Sequence, residues 1–132
     1  MAAKPEALKV WHEIVEARDA SRIDAVLADD VVFHSPVVHT PQVGKAITKK
    51  YLAAALVVLN TPDFKYLTTC VDGNVAVLEF ETRVDGLVVN GIDLIKFSAD
   101  GKKIVDFKVM VRPLKAINAV FQAMGRQLQA VG

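Results

Sequence analysis

The sequence has one cysteine, Cys70, and no long apolar run. A single cysteine excludes an intramolecular disulfide and is typical of proteins from a reducing compartment. The longest apolar run, residues 52–59, is far shorter than the roughly 20 residues that a membrane-spanning helix needs. The first residues lead into a polar segment without the apolar core of a secretory signal. These absences predict a cytoplasmic protein with no membrane partner.

Neither sign of charge dominates. The chain has 16 Lys and Arg against 15 Asp and Glu, and its basic residues form pairs rather than blocks. Nucleic-acid-binding domains usually carry a basic patch, so we expect no nucleic-acid partner. The three histidines lack the close spacing of metal ligands. We therefore expect no metal site, and nothing in the sequence indicates a cofactor.

The length of 132 residues predicts one domain, residues 1–132. Apolar residues make up 52% of the chain, which is a high fraction for a small protein. That fraction indicates an apolar cavity or a buried subunit interface in addition to a core.

Helical patterns precede most of the strand patterns. Apolar spacing predicts a first helix beginning near Pro5, a second, short one capped by Asp19 or Ser21, and a third over residues 45–60. The apolar side of the third helix is predicted to carry Ile47, Tyr51, Ala54, Ala55 and Val58.

Strands are predicted over residues 31–35, 64–71, 75–84, 87–97 and 104–111, with Asp-Gly turns between several of them. A final helix follows Pro113, with apolar positions Ile117, Val120, Phe121, Met124 and Leu128. Helices followed by an antiparallel meander predict an α+β fold.

Asp93 lies in the middle of an apolar strand. Alternation places Asp93 on the same face as Gly91, Ile95 and Phe97. A carboxylate is costly to bury there unless it has a partner, reaches water or carries a proton. The sequence therefore identifies Asp93 as the candidate catalytic residue.

Two stretches and a glycine carry a family resemblance. Residues 27–36 run from Leu-Ala-Asp-Asp through an apolar strand to a proline, Gly44 opens a helix, and residues 91–105 contain Asp-x-x-x-Phe followed by Asp-Gly-Lys-x-Ile. Together they resemble the nuclear transport factor 2-like superfamily, in its SnoaL-like polyketide cyclase and ketosteroid isomerase branch. The resemblance implies a cone-shaped, curved antiparallel sheet wrapped around helices, as in cystatin-like folds. It also implies a pocket for an apolar small molecule and a homodimer through the far face of the sheet.

The resemblance assigns three site positions. Asp93 falls where ketosteroid isomerases keep a protonated aspartic acid that donates to an oxyanion. Ser35 falls at the position of their general-base aspartate, and Trp11 at that of their oxyanion-hole tyrosine. A serine hydroxyl alone cannot abstract an α-proton, and an indole N–H is a weaker donor than a phenol. We therefore expect no ketosteroid isomerase activity by that mechanism.

Other residues are expected to contact the ligand or to line the pocket. His39 lies in the loop at the expected pocket mouth, and the sequence leaves open whether it faces the pocket. Tyr51 reaches a ligand or only packs in the core; both remain open. His34 is expected to face away from the Ser35 side, because consecutive strand residues alternate. The expected pocket wall consists of Phe80, Val109 and Val111.

Four further expectations concern the surroundings of individual side chains. Cys70 is expected to be a small buried residue, and His12 to be solvated. Asp93 is expected to be buried with a raised pKa, unless Arg112 or Lys96 pairs with it. The outer face of the sheet is expected to present Ile92, Leu94 and Met110 as the apolar centre of a dimer interface.

The residues leave three functional classes open. The first is an enzyme that performs acid–base chemistry, of the isomerase, cyclase or dehydratase type, centred on Asp93. The second is a non-catalytic protein that binds a small molecule, in which Asp93 only forms a hydrogen bond to the ligand. The third is a structural or assembly module, because one fold serves many roles.

Overall fold

The computed structural model describes residues 4–130 and has an α+β fold with a curved, open sheet of six strands. The elements in chain order are α1 (Glu6–Ala17), a 3₁₀ turn (Ala20–Arg22), α2 (Ile23–Val26), β1 (Leu27–His34), β2 (Gln42–Val43), α3 (Lys45–Val58), β3 (Lys65–Asp72), β4 (Val75–Val84), β5 (Leu87–Phe97), β6 (Ile104–Arg112) and α4 (Leu114–Ala130). The predicted fold class is confirmed.

The strand order across the sheet is β2-β1-β6-β5-β4-β3. Strands β3 to β6 form the predicted antiparallel meander. The pairing of β1 with β6 is parallel, and it was not predicted. The short strand β2, which pairs antiparallel with β1, was not predicted either. Two residues are too few for a recognisable strand pattern, and a parallel partner far along the chain leaves no local signal.

The hairpin between β4 and β5 has the boundaries that the sequence predicts. Its two turn residues, Asp85 and Gly86, have φ values of 51° and 79°. Two-residue turns with positive φ at both positions match the twist of paired strands, and Asp-Gly is a favoured sequence for them. The turn therefore fixes the register that places Leu78 opposite Asp93.

One face of the meander is buried. On β5 the predicted face, with Gly91, Asp93, Ile95 and Phe97, is buried along its whole length. On β4 the buried face consists of Ala76, Leu78, Phe80, Thr82 and Val84. Residues on the opposite face are half-buried or exposed. The strand alternation thus directs the apolar side chains and one carboxyl into a common interior.

Helix α1 closes this interior from one end. Its first turn has no side-chain cap, and the backbone N–H of Ala7 instead donates to the Gly101 carbonyl in the β5–β6 turn, at 2.9 Å. The helix ends at Arg18, which adopts a left-handed conformation with φ of 54°. Leu8 and Trp11 lie on the buried face. The tie to Gly101 fixes the position of Trp11 relative to β5 and β6.

The predicted apolar faces of the later helices are partly wrong. On α3, Ala54 is buried as predicted, but Thr48, Leu52 and Leu56 are buried as well, because α3 contacts both β1 and α4 and is covered on two sides. On α4, Val120 and Met124 are buried as predicted, but Phe121 is 56% exposed. No helix within residues 4–130 is long and apolar enough to cross a membrane.

Cys70 is exposed, so the prediction that it is buried is wrong. β3 is an edge strand, and its register shifts between Tyr66 and Thr68. The extra residue of such a bulge reverses the alternation beyond it. Tyr66 therefore pairs with the inward-facing Phe80, whereas Cys70 pairs with Val77 on the outer face.

Gly91 allows a close approach between β5 and its neighbours. A Cβ atom at this position would lie 2.5 Å from the Phe80 ring and 2.5 Å from the Met110 carbonyl oxygen. We expect Gly91→Ala to lower the free energy of unfolding by about 1–3 kcal/mol, because the backbone or the ring must move. Urea unfolding followed by circular dichroism measures this.

The matched control is Gly125→Ala in α4, where an added Cβ meets nothing within 4 Å. Alanine is the better helix former, so this variant should be more stable than wild type, by about 0.5–1 kcal/mol. Equal stability of the two variants would contradict the close packing at Gly91.

Candidate functional site

Asp93 is the final acceptor of a short hydrogen-bond chain. It lies in the middle of β5 and is 6% exposed. The Tyr66 hydroxyl donates to Asp93 Oδ2 at 2.6 Å. The Trp11 indole N–H in turn donates to the Tyr66 hydroxyl oxygen at 3.1 Å. Three elements that are distant in sequence, α1, β3 and β5, thus supply one connected group.

Tyr66 was missed by the sequence analysis. β3 is separated from β5 by β4, so the Tyr66 side chain reaches across β4 to Asp93. The alternation of Phe64 and Tyr66 suggests an aromatic inner face, but sequence gives no register between β3 and β4. Trp11 stands where the resemblance implies a tyrosine, and strand β3 supplies a phenol to Asp93 through Tyr66 instead.

The hydrogen-bond chain from Trp11 through Tyr66 to Asp93 borders a small cavity. The lining consists of Trp11, Val15, Leu52, Ala55, Leu56, Leu59, Asn60, Phe64, Tyr66, Phe80, Asp93, Phe107 and Val109. Its volume is about 30 Å³, enough for one or two water molecules. Small-molecule sites usually have volumes of about 300–1,000 Å³. In this conformation, aromatic side chains fill most of the space around the carboxyl.

Burial raises the pKa of Asp93 from its ordinary value of 3.8 to about 7. Loss of water around the charged form is the main cause, and the hydrogen bond from Tyr66 acts in the opposite direction by stabilising the carboxylate. Neither cation considered from the sequence pairs with Asp93: Lys96 is exposed, and Arg112 donates to Asn90 Oδ1 at 3.4 Å. The expected burial and raised pKa are both confirmed.

Tyr66 remains a hydrogen-bond donor. Burial is the main cause that raises its pKa well above the ordinary value of 10.0, and the nearby Asp93 adds to the shift. The hydrogen bond from Trp11 has the opposite, smaller effect. The phenol therefore keeps its proton, and the site contains a carboxyl that titrates near neutral pH beside a hydroxyl that does not.

The predicted site residues fall into two groups. Trp11, Phe80 and Val109 line the cavity together with Asp93. The residues Ser35, His39 and Val111 border a separate surface depression of about 450 Å³, which Val109 also borders. Tyr51 lies outside the cavity lining and packs against Phe33, with 5.3 Å between ring centroids. Ligand contacts by any of them remain predictions.

Ser35 and the adjacent His34 have local partners. The Ser35 hydroxyl accepts a hydrogen bond from the backbone N–H of Val37 at 3.1 Å. The His34 ring contacts Asp106, with 3.0 Å between Nε2 and Oδ2. His34 thus forms a half-buried surface pair and does not line the Asp93 cavity. It borders the same depression as Ser35, so the expected separation of the two side chains by strand alternation is not found.

His12 is half-buried rather than solvated, so that expectation is wrong. Its ring packs edge-on against Tyr66, with 5.5 Å between centroids. Burial, and secondly the charge of Lys4, lower the pKa of His12. Within the described part of the chain, no group of three or more potential ligands is arranged to hold a metal ion.

We expect Asp93 to make stability depend on pH. A carboxyl with a pKa near 3.8 when unfolded and about 7 when folded binds its proton more tightly in the folded state. Its contribution is therefore complete below about pH 4 and is lost as the pH rises through 7. Relative to wild type, Asp93→Asn should gain up to about 4 kcal/mol between these limits. Urea unfolding at several pH values measures the difference.

The control is Asp63→Asn, which removes an exposed carboxyl. Because Asp63 lies at the surface, the stability of this variant relative to wild type should change far less between pH 4 and 8 than that of Asp93→Asn. Stability curves for wild type and Asp93→Asn that remain parallel from pH 4 to 8 would contradict the raised pKa.

Comparison with known proteins identifies the family of this chain. The profile of the SnoaL-like domain family matches residues 8–107. The crystal structure of a steroid delta-isomerase from Pseudomonas aeruginosa is 39% identical, with a TM-score of 0.89, and the match covers 95% of this chain and 90% of that one. No curated protein sequence matches the chain.

Two further structures support the fold. An uncharacterised bacterial protein with a cystatin-like fold from Silicibacter pomeroyi is 31% identical over 93% of this chain and 85% of that chain, with a TM-score of 0.84. An NTF2-like protein of unknown function from Mesorhizobium loti is 20% identical over 82% of this chain and 89% of that chain, with a TM-score of 0.70, and this likeness concerns the fold alone. With the profile match over most of its length, the chain belongs to the SnoaL-like domain family.

Proposed function

We propose that the protein is an acid–base enzyme that acts on a small, uncharged, mostly apolar molecule with a carbonyl group. Asp93 moves the proton, and Tyr66 donates a hydrogen bond to the carbonyl oxygen. The observation that carries the proposal is the hydrogen bond between Tyr66 and Asp93 inside an otherwise apolar enclosure. General acids and bases work best when their pKa lies near the operating pH, and the pKa of about 7 for Asp93 meets this condition.

The proposed step needs no other titrating group. The Asp93 carboxylate takes a proton from the carbon next to the carbonyl, so the C–H bond breaks and its electron pair moves onto the oxygen as an enolate. The Tyr66 hydroxyl, released from Asp93 Oδ2, donates to that oxygen and stabilises the charge. Protonated Asp93 then returns the proton to the same carbon or to a conjugated one. The result is proton exchange or isomerisation of the ketone.

The named relative supports this reaction class. The Pseudomonas aeruginosa protein carries the name steroid delta-isomerase, and it is 39% identical to this chain. The steroid substrate does not follow, because this chain has Ser35 at the general-base position, and Ser35 does not line the Asp93 cavity. The proposal therefore keeps proton transfer beside a carbonyl and assigns it to Asp93 alone.

A second candidate function is binding without turnover. Among the described residues, Asp93 is the only carboxyl that lines the cavity, and no histidine does. A ligand hydroxyl or carbonyl could simply form hydrogen bonds with Asp93 and Tyr66. The two functions differ in one measurable property, because only the enzyme exchanges carbon-bound protons.

We expect the wild-type protein to speed the exchange of the α-protons of 2-tetralone in D₂O near pH 7. Asp93→Asn should lower the catalysed rate by about 100-fold or more, since it removes the proton carrier. Tyr66→Phe should lower it by about 10–1,000-fold, since it removes the donor to the enolate. Proton NMR of the ketone measures the rates.

Ser35→Ala is the matched control, and its rate should equal that of wild type. Ketosteroid isomerisation of 5-androstene-3,17-dione should not approach ordinary enzyme turnover of about 1–1,000 per second. Exchange that persists in Asp93→Asn would contradict the assigned role. Rapid steroid turnover would show that the base has been misidentified.

We also propose that two copies associate through the outer face of the sheet. Ile92 and Leu94 are half-buried there, and Met110 is 42% exposed. Polar residues surround them, among them Glu79 and Lys108. An apolar centre with a polar rim is the usual construction of an interface, and a two-fold dimer is the simplest symmetry that covers it.

Sedimentation velocity at tens of micromolar should show a dimer for the wild-type protein. Met110→Glu should produce monomers, because each copy would bury an unpaired carboxylate in the proposed interface. Val57→Glu is the control, since Val57 is 60% exposed on α3 rather than on the sheet, and it should remain dimeric. A wild-type monomer at this concentration would contradict the interface.

A further inference from the structure

A second concave region lies directly outside the Asp93 cavity. It is a surface depression of about 370 Å³ between the C-terminal end of α1 and the segment that leads into β3. Four residues line both spaces, namely Val15, Asn60, Phe64 and Tyr66. These side chains are therefore the wall between the cavity and solvent.

Two of the four wall side chains, Asn60 and Tyr66, are held in place by hydrogen bonds, and a third, Val15, lies within helix α1. The Asn60 side-chain amide donates to the Val15 carbonyl at 2.6 Å, which ties the end of α3 to α1. The Tyr66 hydroxyl has partners on both sides, Trp11 and Asp93. Displacing any of these groups would break at least one bond in a poorly hydrated place, which is costly.

Phe64 is the exception. Its ring has no hydrogen-bonding atom, and it is held by contacts with Phe80 and Tyr66, at centroid distances of 5.4 and 5.0 Å. It lies after a turn in which its backbone N–H donates to the Thr61 carbonyl, and just before the edge strand β3. The ring can therefore rotate outward without breaking a hydrogen bond.

We propose that the Phe64 ring is the movable entrance of a single site that joins the Asp93 cavity to the outer depression. Their volumes of about 30 and 370 Å³ together reach the ordinary range of small-molecule sites, about 300–1,000 Å³. The ligand is an elongated, uncharged molecule with an oxygen at its inner end, an apolar body beside Phe80, and a polar outer end. The inner-end chemistry rests on the proposed function, whereas the entrance rests on the shared wall.

The single tryptophan allows ligand binding to be followed by NMR. The chain has one Trp, so ¹⁵N-labelled protein gives one indole N–H signal, and it comes from the group that donates to Tyr66. Titration with 2-tetralone should shift this signal in the wild-type protein. In Phe64→Ala the affinity should rise about tenfold, because the ligand no longer has to displace the ring.

Two further variants complete the experiment. Phe64→Leu retains apolar packing with a smaller side chain, and it should show an intermediate gain in affinity even if Phe64→Ala folds poorly. Phe121→Ala is the control, because Phe121 is an exposed phenylalanine on α4 that lines neither space. Its affinity for 2-tetralone should equal that of wild type.

Each outcome of these titrations either supports or contradicts the proposed role of Phe64 as the entrance. A gain in affinity confined to the Phe64 variants supports it. Equal affinities in wild type and folded Phe64→Leu, or no shift of the indole signal in any protein at millimolar 2-tetralone, would overturn it. If the Phe64 variants bind 2-tetralone more tightly as expected but no protein exchanges its α-protons, the entrance is supported and the proposed enzymatic function is contradicted.

Discussion

The hydrogen bond from the Tyr66 hydroxyl to the Asp93 carboxyl is the contact on which the interior of this protein depends. A carboxyl placed among apolar side chains destabilises the fold when it ionises, unless a donor compensates. Tyr66 is the donor, and Trp11 holds it in position through its indole N–H. Two consecutive bonds therefore link helix α1 to the edge strand β3 and β3 to the middle of β5.

The neighbouring residues follow from that arrangement. Gly91 has no side chain, so the Phe80 ring lies close against β5. Phe80 in turn supports Phe64, which packs against Tyr66. The aromatic side chains exclude water from the carboxyl, and this exclusion raises the pKa of Asp93. The electrostatic character of the site is thus a product of packing, since no charged neighbour causes the shift.

Local patterns in the sequence were sufficient for part of this description. The Asp-Gly turn predicted the boundaries of β4 and β5, and strand alternation predicted that Asp93 faces inward. The order of the helices and strands followed from the apolar patterns, and the resemblance to the family added the curvature of the sheet. The role of Tyr66 required the register between β3 and β4, and the bulge after Tyr66 is not visible in the residue pattern. The same bulge explains why Cys70 is exposed.

The separation of Ser35 from the Asp93 cavity also depends on three-dimensional packing. A resemblance transfers positions along the chain, but it does not transfer the side chains that fill the space between them. Here Val109 borders both the cavity and the depression beside Ser35. The chain therefore preserves the fold of its family while dividing two positions that the resemblance placed in one pocket.

The parallel pairing of β1 with β6 affects how the chain folds while it is being synthesised. Phe33 on β1 lies beside Phe107 on β6, which the ribosome adds much later. Until then β1 has only the two residues of β2 as a strand partner. Exposed strand edges with apolar side chains favour association with other chains. The early half of this protein therefore leaves the ribosome with its sheet incomplete, and the last strand completes it.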